Sequence, residues 1–142
     1  MKIIAIPSSK LIWVVGSEKK VFLVDGEMAT VLKRFDAIAE IIFSAVIHPK
    51  TSDLILSTSS GIRLLTVEGE IINLVDEEDW FEHVAISSDG KFILASKGKT
   101  LYSLEKKETS YELIGKDSSF FLIDSSSSVF LRLGLVVWVL CV

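Results

Sequence analysis

Short apolar runs alternate with polar turns along the whole chain. The plainest instance is Val84-Ala85-Ile86, the turn Ser87-Ser88-Asp89-Gly90, then Phe92-Ile93-Leu94-Ala95. Apolar runs of this length, bounded by Asp, Ser and Gly, predict β-strands. The same plan recurs around Ile6, Ile47 and Ile123, and with Ile86 these four isoleucines stand 41, 39 and 37 residues apart. The first strands are predicted at Ile3–Ile6, Ser44–Ile47, His83–Ile86 and Phe120–Ile123. The second follow at Leu11–Val15, Leu54–Ser57, Phe92–Ala95 and Val129–Leu133. The third lie at Val21–Val24, Ile62–Val67, Thr100–Leu104 and Val136–Val139, and the fourth at Thr30–Lys33, Ile71–Val75 and Tyr111–Ile114.

A period near 40 residues with four strands is the length of one blade of a β-propeller. A blade cannot bury its own faces and must stack on its neighbours. The expectation is an all-β protein, a β-propeller of about four blades, with residues 1–142 as a single domain. The repeats fall at 1–40, 41–79, 80–117 and a partial 118–142. The turn between third and fourth strands supports the period. Val24-Asp25-Gly26-Glu27 matches Val67-Glu68-Gly69-Glu70, with glycine expected to supply positive φ. Glu105-Lys106-Lys107-Glu108 takes that place in the third repeat without a glycine. The stretch Phe35–Phe43 has apolar residues at helical spacing behind Asp36. It reads as an extended connection, with a short helix as the alternative.

The last repeat stops after its third strand, so that very apolar strand is expected to be an open edge. Such an edge invites pairing with another chain, as a homo-oligomer or with a longer partner. A shortened piece of a longer propeller is the other reading. Leu133–Val142 is ten uncharged residues, too few for a spanning helix of about 20, and its β-branched run favours a strand. No membrane attachment is expected. Lys2 is followed by only four apolar residues before Pro7, so no signal peptide is expected either.

The 142 residues are 49% hydrophobic and 24% charged, the balance of a folded soluble domain. The net charge of −4 argues against a general nucleic-acid binder. Cys141 is the only cysteine, so no disulfide forms within the chain and the cytoplasm is the expected location.

Val84–Lys91 followed by Phe92–Ala95 resembles the repeat of YVTN-type and WD40-like propellers, where a Ser-Pro-Asp-Gly turn links the two innermost strands. Ser88 stands where proline is common. Val21-Phe22-Leu23-Val24-Asp25 is similar to the third strand of a WD repeat, with Val24 in place of the tryptophan and Asp25 in place of the aspartate. No Gly-His dipeptide opens a blade and no Trp-Asp closes one. The resemblance implies the fold and, at most, a partner-binding role.

No nucleophile elbow, phosphate-binding loop or dinucleotide fingerprint occurs. His48 follows an inner strand and His83 begins one, so they are expected on opposite faces, and neither a metal nor another cofactor is expected. The run Asp76-Glu77-Glu78-Asp79, then Trp80, Phe81, Glu82 and His83, joins the second and third repeats. Its aromatics read either as a contact hot spot or as a plug between blades. Propeller topology puts this loop on one face with Lys19, Lys20, Lys97 and Lys99. The expected function is a non-enzymatic scaffold that binds a protein partner through that face, using Asp76, Asp79, Trp80, Phe81, Glu82 and His83. The alternative is a metal-dependent lactonase or hydrolase with its site at the disc centre.

Overall fold

A computed structural model describes residues 1–16, 19–36, 38 and 40–117, and the backbone of two further strands, 128–133 and 136–141. Strands β1 (Lys2–Ala5), β2 (Leu11–Val15), β3 (Val21–Asp25) and β4 (Thr30–Phe35) form one antiparallel sheet in sequence order. Strands β5 (Ile42–Ile47), β6 (Leu54–Thr58), β7 (Gly61–Leu65) and β8 (Ile71–Asp76) form the second. Strands β9 (His83–Ile86), β10 (Phe92–Lys97), β11 (Thr100–Lys106) and β12 (Tyr111–Asp117) form the third. Strands β13 (Ser128–Leu133) and β14 (Val136–Cys141) pair as a two-stranded sheet. The expected strand at Phe120–Ile123 lies outside the described residues. The described residues contain no helix; of the Phe35–Phe43 segment, Asp36 lies in a turn, Ile38 is buried and Ile42 already belongs to β5.

Side-chain alternation explains the stacking. Along β6, Leu54 and Leu56 point to the first blade while Ile55 points to the third. Their cross-strand partners on β7 follow suit: Leu65 opposite Leu54 faces the first blade, and Leu64 opposite Ile55 faces the third. Every residue of β6 and β7 is buried, as expected of strands covered on both faces. The first junction packs Trp13, Val15, Val21, Leu23, Phe35 and Ile38 against the second blade. The second packs Ile93, Ala95, Tyr102 and Leu104 against it. Each fully buried aliphatic side chain stabilises the stack by about 1.5–3 kcal/mol.

Three equivalent turns mark the repeat. The N–H groups of Ile6, His48 and Ser87 donate to the carbonyls of Leu11, Asp53 and Phe92 at 3.1, 2.7 and 2.9 Å. The matching residue in the first blade is therefore Ala5, not Ile6, for Ile47 and Ile86. The isoleucine spacing is one residue out there, and Ile6 occupies the buried turn position instead. The glycine match between hairpins also changes meaning. Gly69 does take positive φ (110°), but in the first hairpin Ala29 does so (53°), not Gly26. Gly26 is required by space: a Cβ there would lie 2.6 Å from Ile12 Cδ1 and 3.0 Å from the Lys10 carbonyl. Asp25 closes that turn by accepting from the N–H groups of Glu27 and Met28 and pairing with Lys10 at 3.1 Å.

Each outer strand carries one β-bulge. The register of β3 with β4 shifts between Leu23 and Val24, that of β7 with β8 between Ile62 and Arg63, and that of β11 with β12 between Ser103 and Leu104. A bulge bends the exposed edge away from flat pairing with other chains.

Candidate interaction surface

The connection from β8 to β9 is fixed at both seams. The N–H of Phe81 donates to the Thr58 carbonyl of the second blade at 3.0 Å, and that of Glu82 to the Ser96 carbonyl of the third at 2.9 Å. This clamp drives the Phe81 ring between the blades, where it is fully buried and meets Tyr102 edge-on at 5.0 Å. Phe81 is thus the plug, and it presents nothing to a partner. Its place among the candidate contact residues is corrected on that ground.

Trp80 points the other way. Its side chain is 59% exposed and leans on Phe43, 39% exposed, with ring centroids 5.5 Å apart. Ile41, 47% exposed, lies two residues before Phe43. An aromatic shelf therefore stands on the same face as the β8–β9 connection. Glu82 is exposed, and His83 is half-buried at the start of β9, opposite Ser96. His48 sits in the β5–β6 turn, on the opposite face from His83, as the alignment anticipated.

The acidic run is internally matched. Glu77 accepts from Lys97 (3.1 Å), Lys116 (3.0 Å) and the Tyr102 hydroxyl (2.9 Å). Lys116, and then Lys97, hold its carboxyl down at about 2. Asp79 accepts from the Trp80 N–H and pairs with Lys97 at 3.2 Å, and both lower its pKa. Lys97 in turn is raised, first by Glu77, and its ammonium lies 5.9 Å from the ring centres of Phe81 and Tyr102. The carboxylates of Glu77 and Asp79 that a calcium loop would use are already taken by lysines.

Asp76, at the end of β8, pairs with Arg63 at 3.1 Å. Arg63 is buried and also donates to Glu40 Oε1 at 2.8 Å, to the Val75 carbonyl at 2.7 Å and to the Ser60 carbonyl at 3.1 Å. It ties the linker between the first two blades to the outer strand of the second. Glu77, Lys97, Lys116, Phe43 and Arg63 were absent from the candidate set. The position of Lys97 beside this loop was readable from topology. Nothing in the local sequence marks Arg63, whose partners come from three separate segments.

Among solved structures, the chain is similar to the crystal structure of the β-propeller domain of Cps50 (Swd1) from Myceliophteria thermophila. The TM-score is 0.66 at 16% identity, over 82% of this chain and 40% of that one. The chain shares the blade architecture of that β-propeller. At that identity the likeness concerns the fold, and the chain spans 40% of the propeller domain it matches. No family model and no curated protein matches the chain. Among the described residues of the propeller, no helix is long and apolar enough to cross a membrane.

Proposed function

We propose that this propeller is a non-enzymatic interaction module, a single domain of about four blades working in the cytoplasm. It captures a protein partner on the face that carries the β8–β9 connection. The observation that supports this reading most is Trp80, a large aromatic left 59% exposed on a rigid, doubly clamped loop. Aromatic anchors of this kind dominate binding energy when a partner covers them. Phe43 and Ile41 extend the apolar patch, and Asp76, Asp79 and Glu82 supply a polar rim. His83, half-buried at the start of β9, borders the patch.

The test is quantitative capture of one partner, identified by cross-linking in host extract, with wild type and Trp80→Ala. A loss of about 30-fold or more in affinity at unchanged melting temperature is expected, because hot-spot aromatics contribute at least about 2 kcal/mol. Unchanged affinity in the Trp80→Ala, Phe43→Ala double variant rules this face out. Phe81 must stay intact, since its removal opens the core. We also propose that the two-stranded β13–β14 sheet accepts a strand from a second chain. Sedimentation velocity on the same preparations checks this, and a monomer at all concentrations removes it.

A further inference from the structure

On the face opposite Trp80, the second and third blades part to leave a cleft of about 630 Å³. Leu64, Ile72 and Leu74 of the second blade give it an apolar wall. The turn of the β11–β12 hairpin forms the other side, with Thr109 and Ser110 exposed. Three exposed lysines, Lys50, Lys91 and Lys106, stand around it.

Two carboxylates also line the cleft, but the turns use both. Asp53 accepts from the Val67 N–H at 3.2 Å and from the Thr51 hydroxyl at 2.8 Å. Asp89 accepts from the Ser87 hydroxyl at 2.6 Å and from the Lys91 N–H at 2.9 Å. Lys91 has a distant carboxylate neighbour, Glu105, at 3.7 Å. Lys106 lies over the Tyr111 ring at 5.2 Å, a contact that steadies the ammonium without neutralising it. The cleft therefore sets three lysines against two carboxylates beside an aliphatic wall, a positive excess even with Lys50 within electrostatic reach of Asp89. Its volume falls in the range of ligand sites, about 300–1,000 Å³, and exceeds what one carboxylate group fills.

We propose that this cleft binds a short extended peptide segment carrying a carboxylate side chain beside an aliphatic one. The carboxylate meets Lys50 and Lys106, and the aliphatic side chain lies on Leu74 and Ile72. The surface is separate from the Trp80 shelf and does not depend on it.

The experiment titrates the isotopically labelled chain with the capped peptide acetyl-Glu-Leu-Glu-Leu-Glu-amide and follows backbone amide shifts. Saturable shifts at Thr66, Leu74, Lys106 and Ser110 are expected, weakening as salt is raised. The double variant Lys50→Glu, Lys106→Glu should lose at least about tenfold in affinity, whereas Trp80→Ala should bind as wild type. Both lysines are exposed, so the fold is expected to survive, and an unchanged spectrum away from the cleft verifies it. Equal shifts with the Lys-for-Glu peptide, equal shifts with acetate alone, or no cleft shifts at millimolar peptide each overturn the assignment.

Discussion

Gly90 closes the Ser87–Gly90 turn, and replacing it should expose a lock between two blades. Its φ is 75°, a region where a Cβ costs about 1–2 kcal/mol. A Cβ at Gly90 would also stand 2.5 Å from Cε1 and 2.6 Å from Nε2 of His48, which belongs to the preceding blade. That ring cannot simply swing aside. Its Nδ1 accepts from the N–H groups of Lys50 and Thr51, both at 3.1 Å, and the side chain is buried. Giving up those two bonds costs about 0.5–1.5 kcal/mol each. Gly90→Ala should therefore destabilise the chain by about 2–5 kcal/mol, a large share of the roughly 5–15 kcal/mol typical of a domain. In a His48→Ala background the collision vanishes and only the backbone cost remains. Urea unfolding followed by far-ultraviolet circular dichroism should then show a coupling of about 1–3 kcal/mol between the two sites, with unchanged m-values. If Gly90→Ala costs the same in both backgrounds, the ring contact has no energetic weight and the lock does not exist.

Arg63→Met should destabilise by about 3–5 kcal/mol, since it strands the Glu40 carboxylate and the Val75 carbonyl. The double variant Arg63→Met, Glu40→Met should recover most of that in the same unfolding assay, and failure to recover would show that Arg63 acts through packing alone. Glu77→Gln should cost about 1–2 kcal/mol, because Lys97 and Lys116 lose their shared partner at a half-exposed site. Glu77 falls from 4.5 to about 2 on folding, so its contribution is present above pH 4.5 and is lost as the pH drops toward 2. Wild type should thus lose more stability than the Gln variant over that interval, and parallel curves would refute it.

Strand positions were legible because each blade repeats the same alternation of buried and turn residues. Sheet order followed from short antiparallel turns. The one-residue slip at Ile6 arose because Ile6, His48 and Ser87 share one buried turn slot with three different chemistries. An apolar residue there looks like the end of the strand. Gly26 and Gly69 looked alike for a related reason: sequence shows that glycine is needed, but not whether φ or space demands it. At the candidate surface, Trp80 and Phe81 were adjacent and indistinguishable by type. The clamp by Thr58 and Ser96 decides which ring goes inward, and that clamp joins residues far apart in sequence. The same holds for Phe43, which reaches Trp80 only after two blades have stacked.

The apolar seams and the polar links between blades resist different errors. Leu54, Leu56 and Leu65 would still meet apolar groups if the first blade slid along the second, so burial alone discriminates weakly among nearby registers. Arg63 behaves otherwise. Displaced by one residue, it would leave Glu40 and the Val75 carbonyl without their donor in a water-poor place. Gly61 reinforces the point, because a Cβ there would stand 1.9 Å from that same carbonyl and 2.8 Å from the guanidinium. His48 against Gly90 sets the second seam in the same manner, with a ring that fits only over a residue lacking a side chain. Glu77 spans that seam from the opposite face through Lys97, Lys116 and Tyr102. Burial thus supplies the larger part of the energy, and these few buried or half-buried polar contacts choose the alignment. A rigid alignment is what keeps Trp80 and Phe43 on one shelf and Lys50 and Lys106 on one cleft.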